Sequence, residues 1–206
     1  MTSTTPEQGL PLGVSDFASL RQDGLIYVDK TAMVHQLARS AGSKILLTRP
    51  RRFGKSLLVS TFESLFKYGL RDFQGLAIES LWKDTTYNVV RLDFSRAKRF
   101  SSSQEFRLRL DSLLTQGFGN LGFTYNPDPL QTTCDQLSEW LSECPKNSLV
   151  LLIDEYDAPL TACLDKPELF EQVRDSLSDF YAVLKSNDGA LRFLFITGIT
   201  KYSKVS

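Results

Sequence analysis

The clearest signal in the chain is a run of five apolar residues, 149–153, bounded by Asn147-Ser148 and by Asp154. Such a run predicts a strand covered on both faces within a parallel sheet. Residues 44–48 carry a shorter run, Ile45, Leu46 and Leu47, ended by Arg49-Pro50, and predict a short buried strand. Residues 87–94, with Val89, Val90, Leu92 and Phe94, and residues 191–196 predict two more strands. Between them the period changes from two to 3.6. Leu58, Phe62, Leu65 and Phe66 place a helix over 55–68 with Gly69 as its stop. Ser102 and Glu105 have the spacing of a capping box ahead of Phe106, Leu110, Leu113 and Leu114. Residues 117–129, with three glycines, two prolines and two asparagines, predict a loop, and a short helix is expected over 130–141. Leu169, Val173, Leu177, Phe180, Tyr181 and Leu184 share the face of another helix, stopped at Asn187-Asp188-Gly189. Near the start, residues 25–28 predict a short strand and 31–41 a helix.

Strands alternating with helices predict an α/β fold, a three-layer αβα sandwich around a mainly parallel sheet. Residues 1–9 are polar and are expected to be a disordered N-terminus ahead of one domain, 10–206. With 206 residues and 42% apolar content the chain can bury a substantial core, and Trp82, Trp140 and the fourteen phenylalanines are assigned to it. Three cysteines without C-x-x-C spacing and a single histidine, His35, support neither a disulfide framework nor a zinc cage. No stretch approaches the roughly 18 apolar residues of a membrane span. The expected setting is soluble, reducing and cytoplasmic, with no membrane partner.

Charge changes this picture by its placement. Twenty-four basic and twenty-four acidic residues cancel overall, yet residues 30–62 hold seven bases and no acid. Residues 128–188 hold thirteen acids against four bases. The first segment seeks anions, and the second offers carboxylates to a metal or to a basic surface.

Within the basic segment, Gly54-Lys55-Ser56 is the second half of a phosphate-binding loop, with Arg49 at the position of its first glycine. It stands between a predicted strand and a predicted helix, where amide groups and the helix dipole converge on an anion. The expected contacts to nucleotide come from Arg51, Arg52, Phe53, Gly54, Lys55, Ser56 and Leu57. Lys55 reaches the β- and γ-phosphates, and the Ser56 hydroxyl ligates Mg²⁺. A hundred residues later, Asp154 and Glu155 close a buried strand at the edge where open α/β sheets bind ligands. Asp154 is the expected metal holder and Glu155 the expected base toward water. Thr197, ending the last strand, is the candidate γ-phosphate sensor, with Thr200 in reserve. Asp157 reads as a turn former before Ala158-Pro159, or as a carboxylate behind Glu155. Asp29-Lys30 reads as a structural pair at a helix start, or as a pair near the adenine, and His35 as a surface or partly buried residue without a ligand role.

Taken together, Gly13-Val14-Ser15-Asp16-Phe17, Tyr27-Val28-Asp29-Lys30-Thr31, the loop 47–56, Ile153-Asp154-Glu155-Tyr156-Asp157-Ala158-Pro159-Leu160 and Ile196-Thr197-Gly198-Ile199-Thr200 resemble the predicted AAA-ATPase-like family of bacterial P-loop proteins. The resemblance covers about residues 10–206 and includes the arginine-rich loop without its first glycine. It implies a P-loop NTPase of the additional-strand type, in which the last strand inserts between the loop strand and the Asp-Glu strand. It also implies ATP and Mg²⁺ as cofactors, and often a C-terminal PD-(D/E)XK nuclease domain. Ser206 falls just after the fourth core strand, so the module is expected to be truncated before a fifth strand and helical lid. Lid and neighbouring-subunit arginines normally complete such sites, which makes a protein partner or homo-oligomer the expected company.

The leading expectation is therefore an ATP-binding domain that hydrolyses ATP. The rival readings are a hydrolysis-deficient switch that binds a partner, a DNA-associated accessory of a nuclease using the basic segment, and a small-molecule kinase.

Overall fold

The computed structural model describes residues 9–202. The expected disordered segment, 1–9, lies outside these residues except for Gly9. In chain order the elements are α1 (Phe17–Gln22), α2 (Thr31–Ala38), β1 (Ser43–Thr48), α3 (Lys55–Tyr68), β2 (Asn88–Asp93), α4 (Ser103–Gly119), α5 (Thr133–Ser142), β3 (Leu149–Asp154), α6 (Ala158–Thr161), α7 (Pro167–Ser186) and β4 (Leu191–Gly198). The four strands form one parallel sheet in the order β1-β4-β3-β2. Hence the last strand inserts between the loop strand and the Asp-Glu strand, as the resemblance implies.

Period-two alternation divides the sheet between two cores. Val150, Leu152, Phe193 and Phe195 face a core with Phe62, Phe66 and Val59 of α3, Phe17 of α1 and Val34 of α2. Leu151, Ile153 and Leu92 face the opposite core, with Leu110 and Leu114 of α4, Leu137 of α5 and Leu177 and Phe180 of α7. Helices on both faces are what fully buried β3 requires.

Several expectations are corrected. The strand at 44–48 is only half-buried, because among the described residues β1 is an edge of the sheet and β4 covers one side. No strand forms at 25–28. That stretch has no ladder neighbour: the Leu25 amide returns to the Leu20 carbonyl at 3.1 Å and the Ile26 amide is held by the Gly9 carbonyl at 3.0 Å. α1 was not anticipated. α2 stops at Ala38 rather than Ala41, since the carbonyls of Ala38 and Ser40 turn to the Arg192 guanidinium. The predicted loop from 117 begins late, as α4 runs through Gly119. A Cβ at Gly117 would lie 2.3 Å from Leu92 Cδ2, so this glycine allows close helix-strand approach instead of ending the helix. Ser102 caps α4, but the Glu105 carboxylate reaches the Ser101 amide, one residue before the cap, so the box does not close. α5 starts at Thr133 rather than Leu130, where Thr132 and Asp135 form the closed box. Phe53 is 68% exposed and leaves the core list.

Asp29 serves structure, though not by pairing with Lys30. Its carboxylate accepts from the Thr31 amide and hydroxyl and from the Ala77 amide at 2.7–2.8 Å, which ties the start of α2 to the turn at Ala77–Ser80. His35 is half-buried, edge-on to Trp82.

At the N-terminal end of β4, Arg192 is buried and bound to Asp84. Burial alone would raise the Asp84 carboxyl, but the Arg192 fork, the Tyr87 hydroxyl and the Thr85 amide hold it below its ordinary value. A depressed folded value means that the unfolded chain binds more protons in acid. This contribution is complete above the ordinary aspartate value of about 3.9 and is lost as pH falls through the lowered one. Melting temperature is accordingly expected to fall more steeply on acidification in the wild type than in Asp84→Asn. Parallel acid slopes would refute it.

Candidate functional site

β1 delivers the chain to the loop 49–54 at the C-terminal edge of the sheet. Arg52 and Gly54 both take left-handed backbone, with φ of 66° and 74°. Left-handed residues within a loop can let successive amides converge, a conformation that suits anions. The amides from Arg51 to Leu57 find no hydrogen-bond acceptor among the described residues. α3 then begins with no side-chain cap and no acidic residue in its first turn, so its positive end is unneutralised. Arg51, Arg52, Phe53 and Gly54 are exposed, Ser56 and Leu57 half-buried. Lys55 is buried, and its ammonium is folded back onto the carbonyls of Arg49 and Pro50 at 2.9 and 3.0 Å.

β3 and β4 end beside this loop. Asp154 is buried, and its Oδ1 accepts from the Thr197 hydroxyl at 2.5 Å and from the Glu155 amide at 3.1 Å. The Thr197 side chain is fully enclosed, and its carbonyl accepts from the Tyr156 amide at 2.9 Å. Glu155 turns the chain sharply, with φ of 51°, a left-handed value uncommon for a residue with a Cβ. Its half-buried carboxylate meets no hydrogen-bond partner among the described residues. Neighbouring strands lie about 4.8 Å apart, which sets β1 and β3 roughly 10 Å apart across β4.

The structure thus brings Asp154, Glu155 and Thr197 into one bonded cluster, with the loop on the same sheet edge one strand away. No hydrogen bond or ion pair joins Lys55 or Ser56 to Asp154 among the described residues. The donor set suits Mg²⁺: the Ser56 hydroxyl and the second oxygen of Asp154 are hard oxygens, and magnesium takes few protein ligands while keeping its waters. Among the described residues no group of three or more His, Cys, Asp or Glu side chains could hold a metal. None of their helices is long and apolar enough to cross a membrane.

Sequence reasoning read Asp157 as a turn former or as a carboxylate behind Glu155, and the chain does turn there, the Ala158 amide donating to the Glu155 carbonyl at 2.9 Å, but it missed that the Asp157 carboxylate, 2% exposed, accepts from the amides of Ile199 and Thr200, 42 and 43 residues away. It also missed the Arg49 amide donating to the Gly198 carbonyl at 3.1 Å, which joins the loop to the end of β4. The acidic spacing 154, 155, 157 after a buried strand was the available signal for the first. Nothing in the sequence announced the second.

The family described as Predicted AAA-ATPase matches residues 11–206. An uncharacterized protein in the vnfD 5' region of Azotobacter chroococcum mcd 1 is 34% identical over 199 residues. That alignment covers 96% of this chain and 38% of the relative's length. No solved structure matches.

Proposed function

Because the chain belongs to the Predicted AAA-ATPase family, we propose that the loop at Lys55 binds the triphosphate of ATP and that the turn at Asp154-Glu155 promotes its hydrolysis. The observation that carries this reading is the set of seven consecutive amides, 51–57, without an acceptor, opening one strand away from a buried Asp154. Seven amides and an uncapped helix start form a cradle for an anion as large as a polyphosphate. Lys55 would exchange the Arg49 and Pro50 carbonyls for phosphate oxygens, and Arg51 and Arg52 stand exposed beside the same anion.

When bound, Mg²⁺ supplies charge neutralisation between phosphate oxygens, and Ser56 and Asp154 are the residues to hold it. Asp154 is kept in one orientation by Thr197 and by the Glu155 amide, so its second oxygen remains for that ligand. Water attacks the γ-phosphorus, the bond to the β-bridging oxygen breaks, and ADP and phosphate leave. Glu155 accepts the water's proton through its free carboxylate. Thr197 senses the γ-phosphate through Asp154, since its own hydroxyl is committed to that carboxylate.

Titration with a fluorescent ATP analogue is expected to saturate and to tighten with Mg²⁺. Lys55→Ala removes a charge-assisted contact of about 1.5–3 kcal/mol and should weaken binding roughly 10- to 100-fold. Wild-type protein that shows no saturable binding, or a Lys55→Ala variant that binds as well, would end this reading. Tight binding without phosphate release would favour the switch reading instead.

A further inference from the structure

We propose that Asp157 is a positioning residue that fastens the segment Thr197 to Thr200 as a crossbar between the acidic turn and the phosphate loop. The inference rests on the nucleotide reading of the site.

Asp157 sits at the N-terminal boundary of α6, where a carboxylate ordinarily caps its own helix, but it makes no such bond. Its Oδ2 instead accepts from Ile199 at 2.9 Å and from Thr200 at 2.7 Å. Two amides on one buried carboxylate oxygen form a strong, directional pair. Next to it, the Tyr156 hydroxyl donates to the Thr200 carbonyl at 2.8 Å and accepts from the Tyr202 amide at 3.0 Å. Gly198 is wedged against both. A Cβ there would lie 2.6 Å from the Tyr156 ring and 2.7 Å from Asp157 Oδ1.

The same short segment reaches the loop on its other side. The Gly198 carbonyl accepts from the Arg49 amide, and the Arg49 carbonyl accepts from Lys55 Nζ. At its start, Thr197 holds Asp154 by its hydroxyl and Tyr156 by its carbonyl. The chain of contacts runs from Asp157 through Ile199 and Thr200 to Gly198, Arg49 and Lys55. Placement of the Lys55 ammonium relative to Glu155 is therefore set through a backbone segment that Asp157 and Tyr156 hold. Ile199 and Thr200 are otherwise exposed, and among the described residues the bonds from Asp157 and Tyr156 are what fasten them.

The test compares wild type, Asp157→Ala, Asp157→Asn and Tyr156→Phe in the full chain. Hydrogen exchange should show protected amides at Ile199 and Thr200 in the wild type despite their exposure. Asp157→Ala should exchange them roughly tenfold faster or more, whereas Asp157→Asn keeps an acceptor oxygen and most of the protection. ATP turnover should drop about tenfold in kcat for Asp157→Ala with KM little changed, and Asp157→Asn should restore most of it. Tyr156→Phe, which keeps the ring, should lower kcat in the same sense and gives the answer if the alanine variant does not fold. Unprotected amides in the wild type, or unchanged kcat in the variants, would overturn the proposal. A wild type that binds no ATP would sink the nucleotide reading, and the exchange comparison would then decide the crossbar alone.

Discussion

Glu155→Gln is expected to lower ATP turnover by about 10²- to 10⁴-fold, the range that positioned proton transfer contributes, while nucleotide binding survives. The substitution suits the question because Gln matches Glu in shape. The residue holds left-handed backbone at φ 51°, with its amide fixed by Asp154 Oδ1. Gln inherits that conformation, so the turn, the Asp154 orientation and the bond from the Tyr156 amide to the Thr197 carbonyl are preserved. What disappears is a carboxylate able to accept a proton from water. Steady-state phosphate release and an equilibrium titration on the same preparation separate the two effects. Full turnover in the variant would mean that water is activated elsewhere. Loss of binding would mean that Glu155 positions nucleotide and is not the base.

Arg192→Ala is expected to cost about 3–5 kcal/mol of folding stability, the usual result of breaking a buried ion pair on one side. Against a typical total of about 5–15 kcal/mol, that approaches the limit of what the fold tolerates. The guanidinium is 3% exposed and donates to Asp84 Oδ2 at 2.6 and 3.2 Å, to the Ala38 and Ser40 carbonyls at 2.9 and 3.0 Å, and to the Tyr87 hydroxyl at 3.3 Å. It also lies over the Phe66 and Tyr87 rings. Removing it strands the C-terminal end of α2 and leaves Asp84 unpaired. Asp84 keeps some access to water, so the loss should fall near the lower end. A denaturant midpoint in wild type, Arg192→Ala, Asp84→Ala and the double variant measures it. The double variant should be more stable than the sum of the single losses, because no lone carboxylate remains. A loss below about 1 kcal/mol would show that the cluster is a surface pair in energetic terms. Arg192→Lys should recover only part, since one ammonium cannot reproduce five hydrogen bonds to four separate acceptors.

Local chemistry determined a good deal without any structure. An apolar run flanked by polar residues can be satisfied only by a covered strand, so β3 was legible, and so was α3 with its start at Lys55 and its stop at Gly69. The loop between β1 and α3 was legible for a similar reason: Pro50 and Gly54 end a strand and open a helix through preferences that act only a few residues apart. Errors gathered where local preference meets a distant neighbour. Gly117 looks like a breaker until Leu92 lies against it, and residues 25–28 look like a strand until no neighbour offers a ladder. Asp157 lies in the turn its sequence suggests, but that local reading leaves out the two amides from another strand end that its oxygen holds. Which carboxylate holds which backbone, which strand is the edge, and how the loop at Arg49 meets Gly198 were decided by tertiary structure. These contacts join residues tens to more than a hundred positions apart, and their hydrogen bonds are directional, so they take definite partners only once the sheet order β1-β4-β3-β2 sets those residues side by side.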